Sequence, residues 1–107
     1  MPYDEKLAQD MRKFLSKMKG ISEKKMFGGI CFFLNGNMYC GVEVGRYMFR
    51  VGKQLESEAV SRGAEVVAFN GRRMGGLVWV DEALSRGKDI QPWLKLAKQF
   101  VSTLPAK

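Results

Sequence analysis

The chain has no histidine, two cysteines and three prolines in 107 residues. Without histidine, the side chain that most often serves as general base near neutral pH is missing, and so is the commonest nitrogen ligand for a metal. Its two cysteines are not spaced as Cys-x-x-Cys, which argues against a zinc site. Long apolar runs are also missing. Ile30 to Leu34 is among the longest, far short of the roughly 20 residues that span a bilayer. The N-terminal segment Met1-Pro2-Tyr3-Asp4-Glu5 is acidic and has no apolar core, which argues against a secretory leader and for a cytoplasmic location. Acidic residues are outnumbered as well, 11 against 18 basic ones.

What is present fits one small globular domain over residues 1–107, with 46% hydrophobic residues and a net charge of +7. The excess charge is concentrated. Residues 12–25 carry Arg12, Lys13, Lys17, Lys19, Lys24 and Lys25 against the single acid Glu23. Such a block attracts anionic partners over long range and also keeps a small protein soluble.

Apolar spacing predicts the elements. Leu7, Met11, Phe14, Leu15 and Met18 recur every three or four residues, giving an amphipathic helix over 4–18 that ends near Gly20. Asn35-Gly36 marks a type I′ hairpin turn, joining a strand that ends at Leu34 to one that runs from Asn37 to Val44. Gly45-Arg46 reverses the chain into a third strand, 47–51. A short helix over 54–62, a strand over 65–69, a loop opening at Asn70-Gly71 and a strand over 77–80 follow. Asp89 then caps a last helix whose inward arc is Ile90, Trp93, Leu94, Ala97, Phe100, Val101 and Leu104. The order α-βββ-α-ββ-α implies a two-layer α+β fold, with helices packed on a mainly antiparallel five-stranded sheet.

Two segments repeat a theme: Lys24-Lys25-Met26-Phe27-Gly28-Gly29 and Gly71-Arg72-Arg73-Met74-Gly75-Gly76. Each places cations and a methionine before paired glycines at the mouth of a strand. As structural loops, Gly28, Gly29, Gly36, Gly71, Gly75 and Gly76 permit bulges and tight turns. As an anion or phosphate-ligand site, the glycine N–H groups and flanking cations would converge on a negative charge. Neither segment matches a phosphate-loop or dinucleotide fingerprint. A two-residue turn at Asn35-Gly36 would set Cys31 directly opposite Cys40, within disulfide reach, as a redox switch requires. In a reducing compartment such buried thiols act as small hydrophobes.

These motifs, with Asn35-Gly36-Asn37-Met38, Phe49-Arg50-Val51, the Gly71-Arg72-x-Met74-x-Gly76 run and Leu104-Pro105, resemble the N-terminal domain of the TfoX/Sxy family of bacterial competence regulators. The similarity covers almost the whole chain, with Leu77 standing where many relatives carry an aromatic. The resemblance implies a small α+β domain. For the long members, which carry a second, C-terminal domain, it implies transcriptional co-activation alongside the cyclic-AMP receptor protein.

No catalytic constellation, cofactor motif or membrane segment stands out, so the expected role is a non-enzymatic regulatory module. Its first hairpin is apolar on both sides, and Phe32 with Tyr39 are the expected surface for a protein partner or a second copy. The alternative is nucleic acid, held by Lys6, Lys13, Lys17, Lys24, Lys25, Arg72 and Arg73, with affinity that falls steeply as salt rises.

Overall fold

The computed structural model describes residues 3–26, 28–69 and 71–107. Phe27 of the first glycine motif, Asn70 of the later turn and the opening Met1-Pro2 lie outside the described residues. Those described form three α-helices and a sheet of six strands.

Helix α1, Glu5–Leu15, starts at Asp4, whose carboxylate accepts the Lys6 N–H at 3.0 Å. It buries Leu7, Ala8, Met11 and Leu15 on one stripe and stops a turn before the predicted end at Met18. Strand β1, Ile21–Met26, follows at once. This sixth strand corrects the five-stranded expectation. Its sequence, Ile-Ser-Glu-Lys-Lys-Met, has apolar residues only at its ends and exposed polar residues between them, so no alternation announces it. Charge on a sheet edge is what keeps an unpaired ladder from recruiting other chains. Arg12 ties α1 to it, donating from Nε and Nη2 to the two Glu23 oxygens at 3.1 and 2.9 Å and from Nη1 to Glu5 at 2.9 Å.

Strands β2, Gly29–Leu34, β3, Asn37–Val42, and β4, Arg46–Arg50, continue the meander. Asn35 (φ 53°) and Gly36 (φ 84°) both take positive φ, the geometry a type I′ turn demands. Helix α2, Gly52–Ser61, crosses to the far edge, where β5, Glu65–Phe69, is laid down. Strand β6, Arg72–Asp81, then returns between β4 and β5, giving the order β1-β2-β3-β4-β6-β5. All five neighbouring pairs are antiparallel.

Helix α3, Ile90–Val101, closes the fold, and Asp89 stands at its N-cap position in αR geometry without a side-chain capping bond. The tail past α3 folds back on the first hairpin: Asn37 Nδ2 donates to the Pro105 carbonyl at 2.8 Å and Lys107 N–H to the Asn35 carbonyl at 2.9 Å.

The helices share one face of the sheet. Leu7, Met11, Ala59, Trp93, Leu94 and Ala97 pack there on Ile30, Phe32, Tyr39, Val42, Phe49 and Val78. Burying each aromatic in that layer contributes roughly 2–3 kcal/mol. Two tyrosines bolt the layers together, Tyr39 Oη donating to the Leu94 carbonyl at 2.9 Å and Tyr47 Oη to the Leu7 carbonyl at 3.1 Å.

Two expectations about the first hairpin are corrected. Phe32 and Tyr39, each 1% exposed, lie beneath the helices and offer nothing to a partner. Cys31 and Cys40 do not face one another. The register runs Leu34↔Asn37 and Phe33↔Met38, then shifts at a bulge to Phe32↔Cys40 and Cys31↔Gly41. The extra residue sends Cys40 into the helix-covered core and Cys31 to the opposite face.

Candidate interaction surface

The opposite face of the sheet has its own apolar cluster, drawn among the described residues from strands alone. Cys31, Met48 and Val67 are buried at its centre, with Met26, Phe33, Met38, Met74, Leu77 and Trp79 half-buried around them. Sheets covered on one side normally alternate apolar and polar residues. Here β2 and β3 are apolar on both sides, and β4 adds Met48 between Arg46 and Arg50, because the second face carries its own lipophilic layer. Four of the chain's seven methionines, Met26, Met38, Met48 and Met74, belong to it. Unbranched thioether chains reshape to fit what meets them, and they recur on adaptable binding surfaces.

Polar groups frame this layer. The Arg46 guanidinium lies over the Trp79 ring at 3.5 Å from its centroid, while its Nε donates to the Glu43 carboxylate at 2.6 Å. Its stack on indole is worth about 0.5–2 kcal/mol. Burial, helped by the nearby Glu43 charge, pushes the Cys31 thiol up to about 11. This thiol is a packing group, since thiolate, the reactive form, is scarce at neutral pH.

The basic residues expected to hold an anion do not converge. Lys13 and Lys17 are exposed on or just past α1. Lys24 and Lys25 sit on the β1 edge and, as successive strand residues, point to opposite faces. Arg72 and Arg73 open β6, with β2, β3 and β4 between them and β1. Arg73 donates to Glu56 at 3.0 Å.

The two glycine motifs also line separate hollows. Gly28 borders one beside Glu43, Arg46 and Asp81, at the start of β4. Gly75 and Gly76 border a cleft of about 660 Å³ at the other end of β4, with Arg50, Lys53 and Phe100. The second glycine pair lies inside β6 rather than leading into it. Gly76, at φ 86°, accepts the Val51 N–H on its carbonyl at 2.8 Å, and a Cβ there would stand 3.1 Å from Gly52 Cα. Gly29 backs onto the Val42 carbonyl, with which a Cβ would collide. Gly36 and Gly71 hold positive φ at turns.

The sequence shows the two-faced hairpin but not which of its faces the helices cover. Phe33 and Met38 would have been selected over Phe32 and Tyr39 had the bulge been visible. Leu77 and Trp79 join them only through the β4–β6 pairing, a contact between distant segments.

A family model for the TfoX N-terminal domain matches residues 13–101. The chain belongs to the TfoX N-terminal domain family. The match runs from within α1 to the end of α3 and so covers the whole sheet. No curated protein matches the chain. Among the described residues, no three His, Cys, Asp or Glu side chains cluster to hold a metal ion. Among the same described residues, no helix is long and apolar enough to cross a membrane. The TfoX N-terminal domain here is a competence-regulator-like module, α+β in fold with an open antiparallel sheet.

Proposed function

We propose that this TfoX N-terminal domain acts in regulation by protein contact and without catalysis, through the face of the sheet that the helices leave uncovered. One observation carries the reading: four methionines, Phe33, Leu77 and Trp79 form a continuous layer there. Large apolar surface gathered on one side of a small domain marks a place where another macromolecule docks.

The test is regulatory output in the native host, read as transcription of the genes the protein controls. Phe33→Asp with Met38→Asp places two charges in the layer. A collapse of output, with circular dichroism and melting intact, is the expected result. Lys98→Asp, on the exposed side of α3, serves as the control and leaves output unchanged. Full activity of the double variant overturns the proposal.

A further inference from the structure

We infer that the occupant of the helix-free face is a second copy of this chain, laid face to face about a two-fold axis that runs parallel to the strands between β3 and β4. The inference rests on the preceding reading of that face as a contact surface and names what it contacts.

The argument comes from register. Lys24 pairs with Cys31, Cys31 with Gly41, Gly41 with Met48, Met48 with Trp79, and Trp79 with Glu65. These six residues form one row across the sheet, one per strand, and antiparallel partners point to the same side. The row begins with an exposed cation on one edge and ends with an exposed anion on the other. A half-turn about the proposed axis reverses it. Lys24 then meets the partner's Glu65, Cys31 meets the partner's Trp79, and Gly41 meets the partner's Met48. Both edges gain opposite charges, and each small residue faces a large one.

Parts of the rows on either side obey the same operation, while Arg50, beside Leu77, comes over the partner's β3 at Met38. Glu43 and Arg46 flank the axis near the start of β4, so each comes over its opposite in the partner. Phe33 comes over the partner's Leu77, apolar on apolar. Self-complementarity under a two-fold is the requirement for an isologous dimer. Packed sheets cross at about 30°, and the edge rows lie about 12 Å from the axis, so the skew offsets Lys24 and the partner's Glu65 by about 6 Å sideways. Extended lysine and glutamate side chains span that.

The experiment is sedimentation analysis from micromolar to near-millimolar protein. The unmodified chain is compared with Lys24→Glu, with Glu65→Lys and with the double swap. A reversible dimer is expected. Each single swap sets like charges against each other at both edges and weakens the dimer about tenfold or more, and the double swap restores it. Within one chain the two residues are about 24 Å apart, five strand spacings, so rescue reports contact between chains. Both side chains are exposed, and unchanged melting temperatures confirm the fold.

A monomer at every concentration overturns the inference, as does a dimer indifferent to the swaps or one the double swap fails to restore. If the chain is monomeric yet Phe33→Asp/Met38→Asp abolishes regulatory output, self-pairing is wrong and another protein occupies the face. If the dimer behaves as expected but output survives that double variant, self-pairing stands and the regulatory reading falls.

Discussion

The hydroxyl of Tyr39 donates to the backbone carbonyl of Leu94 at 2.9 Å, joining the middle of the first hairpin to the middle of the last helix. The residues are 55 apart in sequence. Tyr39 is also the extra residue at the bulge that shifts the β2–β3 register. One side chain thus aims the hairpin and anchors the helix laid across it. Burial raises the Tyr39 phenol well above its ordinary value, so it remains a neutral donor through the physiological range.

Tyr39→Phe keeps the ring and removes the bond. The expected loss is about 1 kcal/mol, equivalent to about 4–8 °C in melting temperature for a domain of this size. Tyr39→Ala also opens a cavity and costs about 3–5 kcal/mol. Urea denaturation of the two variants measures both. A Phe variant as stable as the parent would show that the bond contributes nothing net.

Stability should decline as pH rises above 9. Burial raises the Cys31 thiol from 9.0 to about 11, and raises the Cys40 thiol and both the Tyr39 and Tyr47 phenols. Each group ionises more readily in the unfolded chain than in the folded one. Their contribution is therefore complete below pH 9 and is lost as pH climbs through the folded values. Melting curves should be flat up to about pH 8 and fall steadily from pH 9 to 11. Oxidants should produce no disulfide within the native chain, because Cys31 and Cys40 lie on opposite faces; quantitative thiol titration before and after treatment checks this.

Gly76→Ala should destabilise by about 2 kcal/mol or more, because it combines positive-φ strain with a tight approach to backbone that must shift. The tight approach is to Gly52, 3.1 Å from a Cβ on Gly76. Gly71→Ala separates the two effects. Gly71 also has positive φ, at 77°, but a Cβ there meets nothing within 4 Å, leaving a strain of about 1–2 kcal/mol. Equal losses at the two sites would show that the Gly76–Gly52 approach carries no cost.

Much of the fold is legible in the sequence because its signals are local. Asn35-Gly36 sets the first turn, the spacing of Leu7, Met11 and Leu15 sets α1, and Ile90, Trp93, Leu94 and Ala97 set α3. Strand β1 is not legible, since an edge strand that avoids aggregation must look like a charged loop. The inner half of β6 is hidden for a different reason. Gly75 and Gly76 read as a strand breaker, yet here they are absorbed within the strand by the close packing of Gly52.

The site was half visible. Two apolar faces on one hairpin could be read directly, but which of them the helices would cover depends on the single-residue bulge at Tyr39. No local pattern marks that residue. The row from Lys24 to Glu65 is less visible still, because it exists only once six segments have taken their places.

The strand order has a consequence for how the polypeptide is made. β4 is synthesised early, yet its neighbour β6 ends at Asp81, after α2 and β5 have intervened. While the ribosome is still adding those residues, the growing meander carries a bare hydrogen-bonding margin along β4, with apolar residues on both sides of it. Fragments released before residue 81 would keep that margin permanently, and open strand margins of this kind seed aggregation.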